Sequence, residues 1–151
     1  MPFMDAFAQS AKVRISLLQF VLVGVPLLMM VGCGRREVRV PTFAASGRLL
    51  AADDRPLAHA LVVLHPLDAN NKAPRPRATT DEEGNFQLTT YETGDGAPEG
   101  DFIVTVEQWL RDDPAEAPKN KLPTALSRPD SSTIRVAITK EANSLEPIRL
   151  R

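Results

Sequence analysis

The 151-residue sequence has one cysteine, one tryptophan, one tyrosine and no surplus of charge. With a single cysteine no internal disulfide can staple the fold, and in an exported chain a lone thiol is a liability unless its position gives it another use. A formal net charge of −1 provides neither a basic field for nucleic acid nor an acidic tail. Aromatic residues make up only 5%, and the 13 prolines fall mostly in connections, which suits a small β-domain with long loops better than a helical bundle. No stretch after Cys33 carries a convincing helical period. There is no G-x-S-x-G elbow, and Gly94, Gly96 and Gly100 lack the Lys-Ser/Thr and helix of a phosphate loop.

The chain does have one long apolar run. Residues 15–31 read ISLLQFVLVGVPLLMMV, preceded by Lys12 and Arg14 and closed by Met30-Val31-Gly32-Cys33. A charged start, an apolar middle and small residues at the end describe a secretory signal. The ending resembles the lipobox of bacterial lipoproteins, with Met30 where leucine is usual. That resemblance implies cleavage after residue 32, a lipid on the Cys33 thiol and a further acyl chain on the freed amine, enough for stable anchoring. The competing reading is an uncleaved transmembrane anchor, since the run is just long enough to span a bilayer. Flanking charge does not separate the two, because Arg35 and Arg36 follow as Lys12 and Arg14 precede. Gly24, Pro26 and the Val-Gly-Cys ending favour cleavage, so residues 1–32 are expected as signal peptide and 33–41 as a tether. Removing Asp5, Lys12 and Arg14 leaves the mature part slightly acidic.

From residue 42 onward the pattern is period two, punctuated by turn signals. Strands are expected at 43–50, 58–65, 85–89, 101–108 and 133–139, with Ile148 and Leu150 closing the sheet. Phe86, Leu88, Phe102, Val104, Val106, Ile134, Val136 and Ile138 should face inward, and Thr105, Glu107 and Arg135 outward. Asp53-Asp54-Arg55-Pro56 and Asp81-Glu82-Glu83-Gly84 read as turns, the second a tight hairpin with a bulge in which Gly84 takes positive φ. Residues 110–131, with four prolines and many charges, read as a long loop of the functional or mobile kind.

The order of these motifs resembles a family. Arg77-Ala78-Thr79-Thr80-Asp81-Glu82-Glu83-Gly84-Asn85-Phe86 is similar to the T-D-x-x-G-x-F signature of carboxypeptidase regulatory-like domains, transthyretin-like β-sandwiches frequent in bacterial surface proteins. Gly47-Arg48-Leu49-Leu50, then Arg55-Pro56-Leu57-Ala58-His59-Ala60-Leu61-Val62, resembles the family's opening, with Arg55 and His59 standing where glycines are usual. Residues 91–102 and Leu122-Pro123 look like a subgroup of small lipoproteins. Where that subgroup has lysine-tyrosine after the proline, this chain has Thr124-Ala125-Leu126. The resemblance covers residues 43–150 and implies a fold and an address, and only loosely a binding role.

Candidate chemistry is sparse. His59 and His65, read as sharing one strand face, would stand about 20 Å apart at about 3.3 Å per residue, too far for one metal. Asp81, Glu82 and Glu83 lack the alternation of a calcium loop and read as a solvated turn, as do Asp53-Asp54 and Asp112-Asp113. Ser127, Ser131 and Ser132 lie in or beside the long loop, with no base assignable to them. Lys72, Lys119, Lys121 and Lys140 fall in loops or at a strand end, poorly placed for an intramolecular isopeptide bond. Tyr91 and Trp109 are expected on the outer face by alternation, as ligand-contact aromatics or as rim packing.

The sequence therefore predicts an all-β protein. It is read as one transthyretin-like or immunoglobulin-like β-sandwich of about seven strands (residues 42–151) behind a lipoprotein signal peptide. The expected role is a non-enzymatic, lipid-anchored envelope module with structural or protein-interaction work, facing the periplasm or exterior. It should hold to the membrane through Cys33 and contact an envelope protein or glycan. No cofactor, metal, catalytic residue or nucleic-acid partner is expected. The alternatives are a carbohydrate-binding module using Tyr91 and Trp109, or an accessory subunit of an envelope enzyme or transporter.

Overall fold

A computed structural model describes residues 39–68 and 74–151. The apolar run, Cys33 and Lys72 lie outside the described residues. The described residues are nearly all β, as their alternation predicts. Among the described residues ten short strands run in chain order: β1 Ala45–Leu50, β2 Leu61–Pro66, β3 Arg77–Thr79, β4 Asn85–Gln87, β5 Gly100–Glu107, β6 Trp109–Leu110, β7 Lys119–Asn120, β8 Arg135–Ile138, β9 Asn143–Ser144 and β10 Ile148–Arg149. One 3-10 turn, Thr124–Ser127, precedes β8.

The strands form two four-stranded sheets and a small ribbon. In the first sheet β1 lies between antiparallel β4 and a parallel edge made of β9 and β10. The second has the order β3-β2-β5-β8 and is antiparallel throughout. β6 pairs with β7 in the ribbon. The first sheet gives Ala45, Leu49, Phe86 and Ile148 to a single buried cluster, and the second gives Val62, Leu64, Ala78, Phe102, Val104, Val106 and Ile138. Each large aliphatic chain fully buried there stabilises the fold by about 1.5–3 kcal/mol. Inward residues recur at every second position of β5 because the period of a strand is two. Phe102, Val104, Val106 and Ile138 are buried as expected, while Ile134 and Val136 are only half-buried.

Four expectations are corrected. His59 is not in a strand: it has φ +55° in the turn before β2, so it shares no strand face with His65. Histidine tolerates that left-handed region better than most side chains. Thr105, on the face opposite Val104 and Val106 by alternation, is not solvated. It is 4% exposed, and its hydroxyl pairs with His65 Nε2 across 2.9 Å.

The turn at 81–84 does not close a simple hairpin, because β3 and β4 belong to different sheets. The two segments meet at Asp81, whose N–H donates to Asn85 O (2.9 Å), and again at the Arg77↔Thr89 bridge. Between these points β3 turns to β2 and β4 turns to β1. Finally, the segment 110–131 is not an irregular loop, since it holds β7 and the 3-10 turn.

The C-terminal edge carries a bulge. Ala45 pairs with Asn143, 98 positions on, whereas Leu49 pairs with Ile148, 99 positions on. One extra residue is thus taken up at 145–147, where Pro147 has no N–H for a ladder.

Candidate functional site

The Pro56-Leu57 and Thr80-Asp81 stretches meet at one corner. Thr80 is buried, its hydroxyl donating to Leu57 O (2.7 Å) and accepting from the Ala60 N–H (2.9 Å). The His59 N–H donates to Thr80 O and the Thr80 N–H to Ala60 O. Gly84, at φ +76°, accepts from the Leu49 N–H (2.8 Å), and the Leu57 N–H donates to Leu49 O (3.1 Å). His59 Nε2 lies 3.0 Å from Glu82 Oε1 at the surface. Asp81 Oδ1 accepts from the Glu83 and Asn85 N–H groups, so the acidic run is a backbone-capping turn. This corner is structural: its polar groups are spent on each other.

The candidate aromatics stand apart. Tyr91 lies in the bend after β4 rather than in a strand, so alternation does not place it. Its hydroxyl accepts from the Val40 N–H (3.1 Å), and the Arg39 guanidinium sits 5.1 Å from its ring centre, also pairing with Glu92. The end of the expected tether is thereby held against the domain. Below it, Asp95 accepts from the Thr90 and Tyr91 N–H groups at 2.7 and 3.0 Å. Burial pushes that carboxyl up, but those hydrogen bonds outweigh it and hold it below the ordinary value. Trp109 is 54% exposed in β6, its indole N–H donating to Glu107 Oε2 (2.8 Å). The structure ties one aromatic to residues 39–40 and the other to the β5–β6 junction, and brings no shared platform together.

The other candidates resolve into local packing. Burial first, then the Arg75 charge, hold the His65 imidazole below its usual pKa. Ser127 bonds the Thr124 carbonyl, and buried Ser132 donates to Val104 O, in place of a strand amide. Lys119, Lys121 and Lys140 pair at the surface with Glu116, Asp112 and Glu99. Among the described residues no group of three or more His, Cys, Asp or Glu is placed to hold a metal, and no helix is long and apolar enough to cross a membrane.

The segment expected as a binding loop is partly a wall of the fold. Asn120 Oδ1 accepts from the Gln108 and Leu122 N–H groups, and the Lys121 N–H donates to Gln108 O. Leu122 and Leu126 then pack onto the buried cluster, the 3-10 turn lying against β5. Residues 111–118, all exposed and holding none of these anchors, project from it.

The site that sequence reasoning missed is a groove of about 770 Å³ between β8 and the C-terminal edge strand. Val136 of β8, Ile134 just before it, Leu126 of the 3-10 turn and Leu145 of the bulge give it a half-buried apolar floor. Arg135, Arg149 and Arg151 line it with Glu146. Arg149 Nε donates to Asp54 (2.8 Å), and Arg135 donates to the Ser132 and Ile134 carbonyls. Such a surface offers apolar contact, main-chain hydrogen bonds along a strand and a modest positive charge, which is the chemistry of peptide recognition. The local signals were there in Arg135 on a short strand and in Pro147, both marks of a sheet edge.

No family model matches the chain, and no curated protein does either. Among solved structures, a 9R-lipoxygenase from Cyanothece PCC8801 is similar over 73% of this chain and 16% of that one, at 14% identity and a TM-score of 0.42. The chain spans about a sixth of that enzyme's length, and a likeness at this level carries no argument about fold or function.

Proposed function

We propose that the protein is an exported lipoprotein, cut before Cys33 and acylated there. In this reading, residues 42–151 form a β-sandwich of the carboxypeptidase regulatory-like type that serves as a non-enzymatic interaction module at the cell envelope. The lipobox-like Met30-Val31-Gly32-Cys33 supports the address. The meeting of the Pro56-Leu57 and Thr80-Asp81 stretches in one hydrogen-bonded corner supports the family reading. So does the strand count: with β9 and β10 taken as one bulged strand and the β6–β7 ribbon set aside, seven strands remain.

The observation that carries the interaction role is the groove beside β8, where apolar side chains are half-buried and a strand edge is open. A glycan-binding reading rests on Trp109 alone, the aromatic that keeps much of its surface in solvent. An accessory-subunit role would use the same groove.

The test is intact mass and cross-linking of the full-length chain in its own envelope. A lipid-bearing chain beginning at residue 33, discrete protein adducts, and loss of lipid in Cys33→Ser are expected. An unmodified full-length mass defeats the lipoprotein reading, and the absence of any adduct defeats the interaction role.

A further inference from the structure

The groove is bounded by two strand edges, and only one is regular. In an antiparallel pair, alternate residues turn both N–H and C=O toward the partner. The Val104 N–H donates to Ile134 O (3.0 Å), and Phe102↔Val136 and Gly100↔Ile138 continue that register. Residues 134, 136 and 138 therefore direct their main chain at β5, and the peptide groups of Arg135 and Ala137 point the other way. Among the described residues β8 has no strand on that side, and both residues are exposed. The opposite edge is interrupted by its bulge and by Pro147, which has no N–H to offer.

Resting on the reading of the chain as an interaction module, we infer that β8 accepts an extended segment of another protein, with alternating apolar and acidic side chains, as a further strand of the β3-β2-β5-β8 sheet. A strand laid on β8 bonds the Arg135 and Ala137 peptide groups. Its side chains level with Val136 then face the floor of Leu126, Ile134 and Leu145. Those level with Arg135 and Ala137 face outward, beside the Arg135 guanidinium.

The charge selects the partner. Arginines at 135, 149 and 151 line the groove with Glu146, and Arg149 is already paired with Asp54, so the positive charge left over rests on Arg135 and Arg151. A second copy joined through β8 would bring its own arginines against these, and like charges across paired strands are destabilising. An acidic strand meets the opposite sign.

The full-length chain, extracted in mild detergent and isotope-labelled, is titrated with a peptide of about ten residues alternating glutamate and valine, the length of a long natural strand. Amide exchange at Arg135 and Ala137 is expected to slow by about tenfold or more. The lysine-valine counterpart should bind about tenfold more weakly, and a glutamate-valine peptide N-methylated along one edge should give no protection.

Arg135→Glu should reverse the preference for charge. Ala137→Pro, which removes an outward N–H from the edge, should abolish binding; should that variant misfold, Arg135→Glu and the methylated peptide carry the test. Unchanged exchange at both amides under saturating peptide overturns the inference. Protection that appears on concentrating the chain without peptide overturns it in favour of a second copy. Envelope adducts that map away from β8 with no peptide protection sink strand addition and spare the interaction role. A chain that binds the peptide but gives no adducts sinks that role and spares the edge.

Discussion

The carbonyl oxygen of Leu49 occupies the space a side chain on Gly84 would need: a Cβ there would lie 2.5 Å from it and 3.2 Å from the Leu57 nitrogen. Both atoms are tied down, since Leu49 O accepts from Leu57 and Gly84 O accepts from Leu49. Gly84 also has φ +76°, which costs an L-residue strain in any surroundings. Gly84→Ala should therefore lower stability by about 2–4 kcal/mol, the left-handed strain and the clash acting together. Urea unfolding of the full chain measures it, and a change within error would mean the corner yields more easily than its hydrogen bonds imply.

Thr80 tests the same corner without touching its shape. Thr80→Val keeps the volume but leaves the Ala60 N–H and the Leu57 carbonyl without their hydroxyl partner in a buried place. A buried polar group left unpaired costs about 1–3 kcal/mol, so a loss of that size is expected, with Thr80→Ser recovering most of it. Equal losses in both variants would assign the effect to packing instead of the hydroxyl.

This corner and β5 were the legible parts of the fold, because their signals are local. Strict alternation at Phe102, Val104 and Val106 marks a strand, and a glycine after three acidic residues marks a turn. His59 misled because a side chain stands at a left-handed position that glycine usually advertises. Thr105 misled because alternation gives the face of a strand and not what covers that face. The β6–β7 ribbon was hidden because two-residue strands have no period, and its closure uses the Asn120 side chain as well as the Lys121 N–H on Gln108 O. The groove was hidden for a different reason: it exists only because β8 and β9 join different sheets, a fact of long-range register that no window of sequence contains.

His65 makes stability depend on pH. Burial and the Arg75 charge depress its pKa in the folded state below the unfolded value near 6.5. Between those two values the unfolded chain binds a proton that the folded chain refuses, so stability rises with pH. The contribution is complete above the unfolded value and is lost as pH falls through it toward the folded one. Unfolding free energy should thus drop between pH 7.5 and 5.5, and His65→Gln should flatten that part of the curve. A slope unchanged by His65→Gln would place the proton elsewhere.

The segment after β5 should divide into two halves with opposite sensitivity. Residues 111–118 lie outside the buried cluster, with surface ion pairs such as Lys119–Glu116 that contribute at most about 1 kcal/mol. Replacing them with a short Gly/Ser linker that keeps Leu110 and Lys119 in place should leave the β-sheet signal and a cooperative melt nearly intact. Leu122 and Leu126 pack onto the core cluster and cover it beside β5. Leu126→Ala should lower stability by about 1–3 kcal/mol, less than a fully buried leucine because the side chain is only half-buried. It should also open the floor of the groove, so peptide protection at Arg135 and Ala137 falls along with stability. Thermal melts of both variants, with amide exchange in the presence of peptide, measure the two halves separately. Collapse of the linker variant, or a neutral Leu126→Ala, would show that the wall of the fold lies in the projecting half instead.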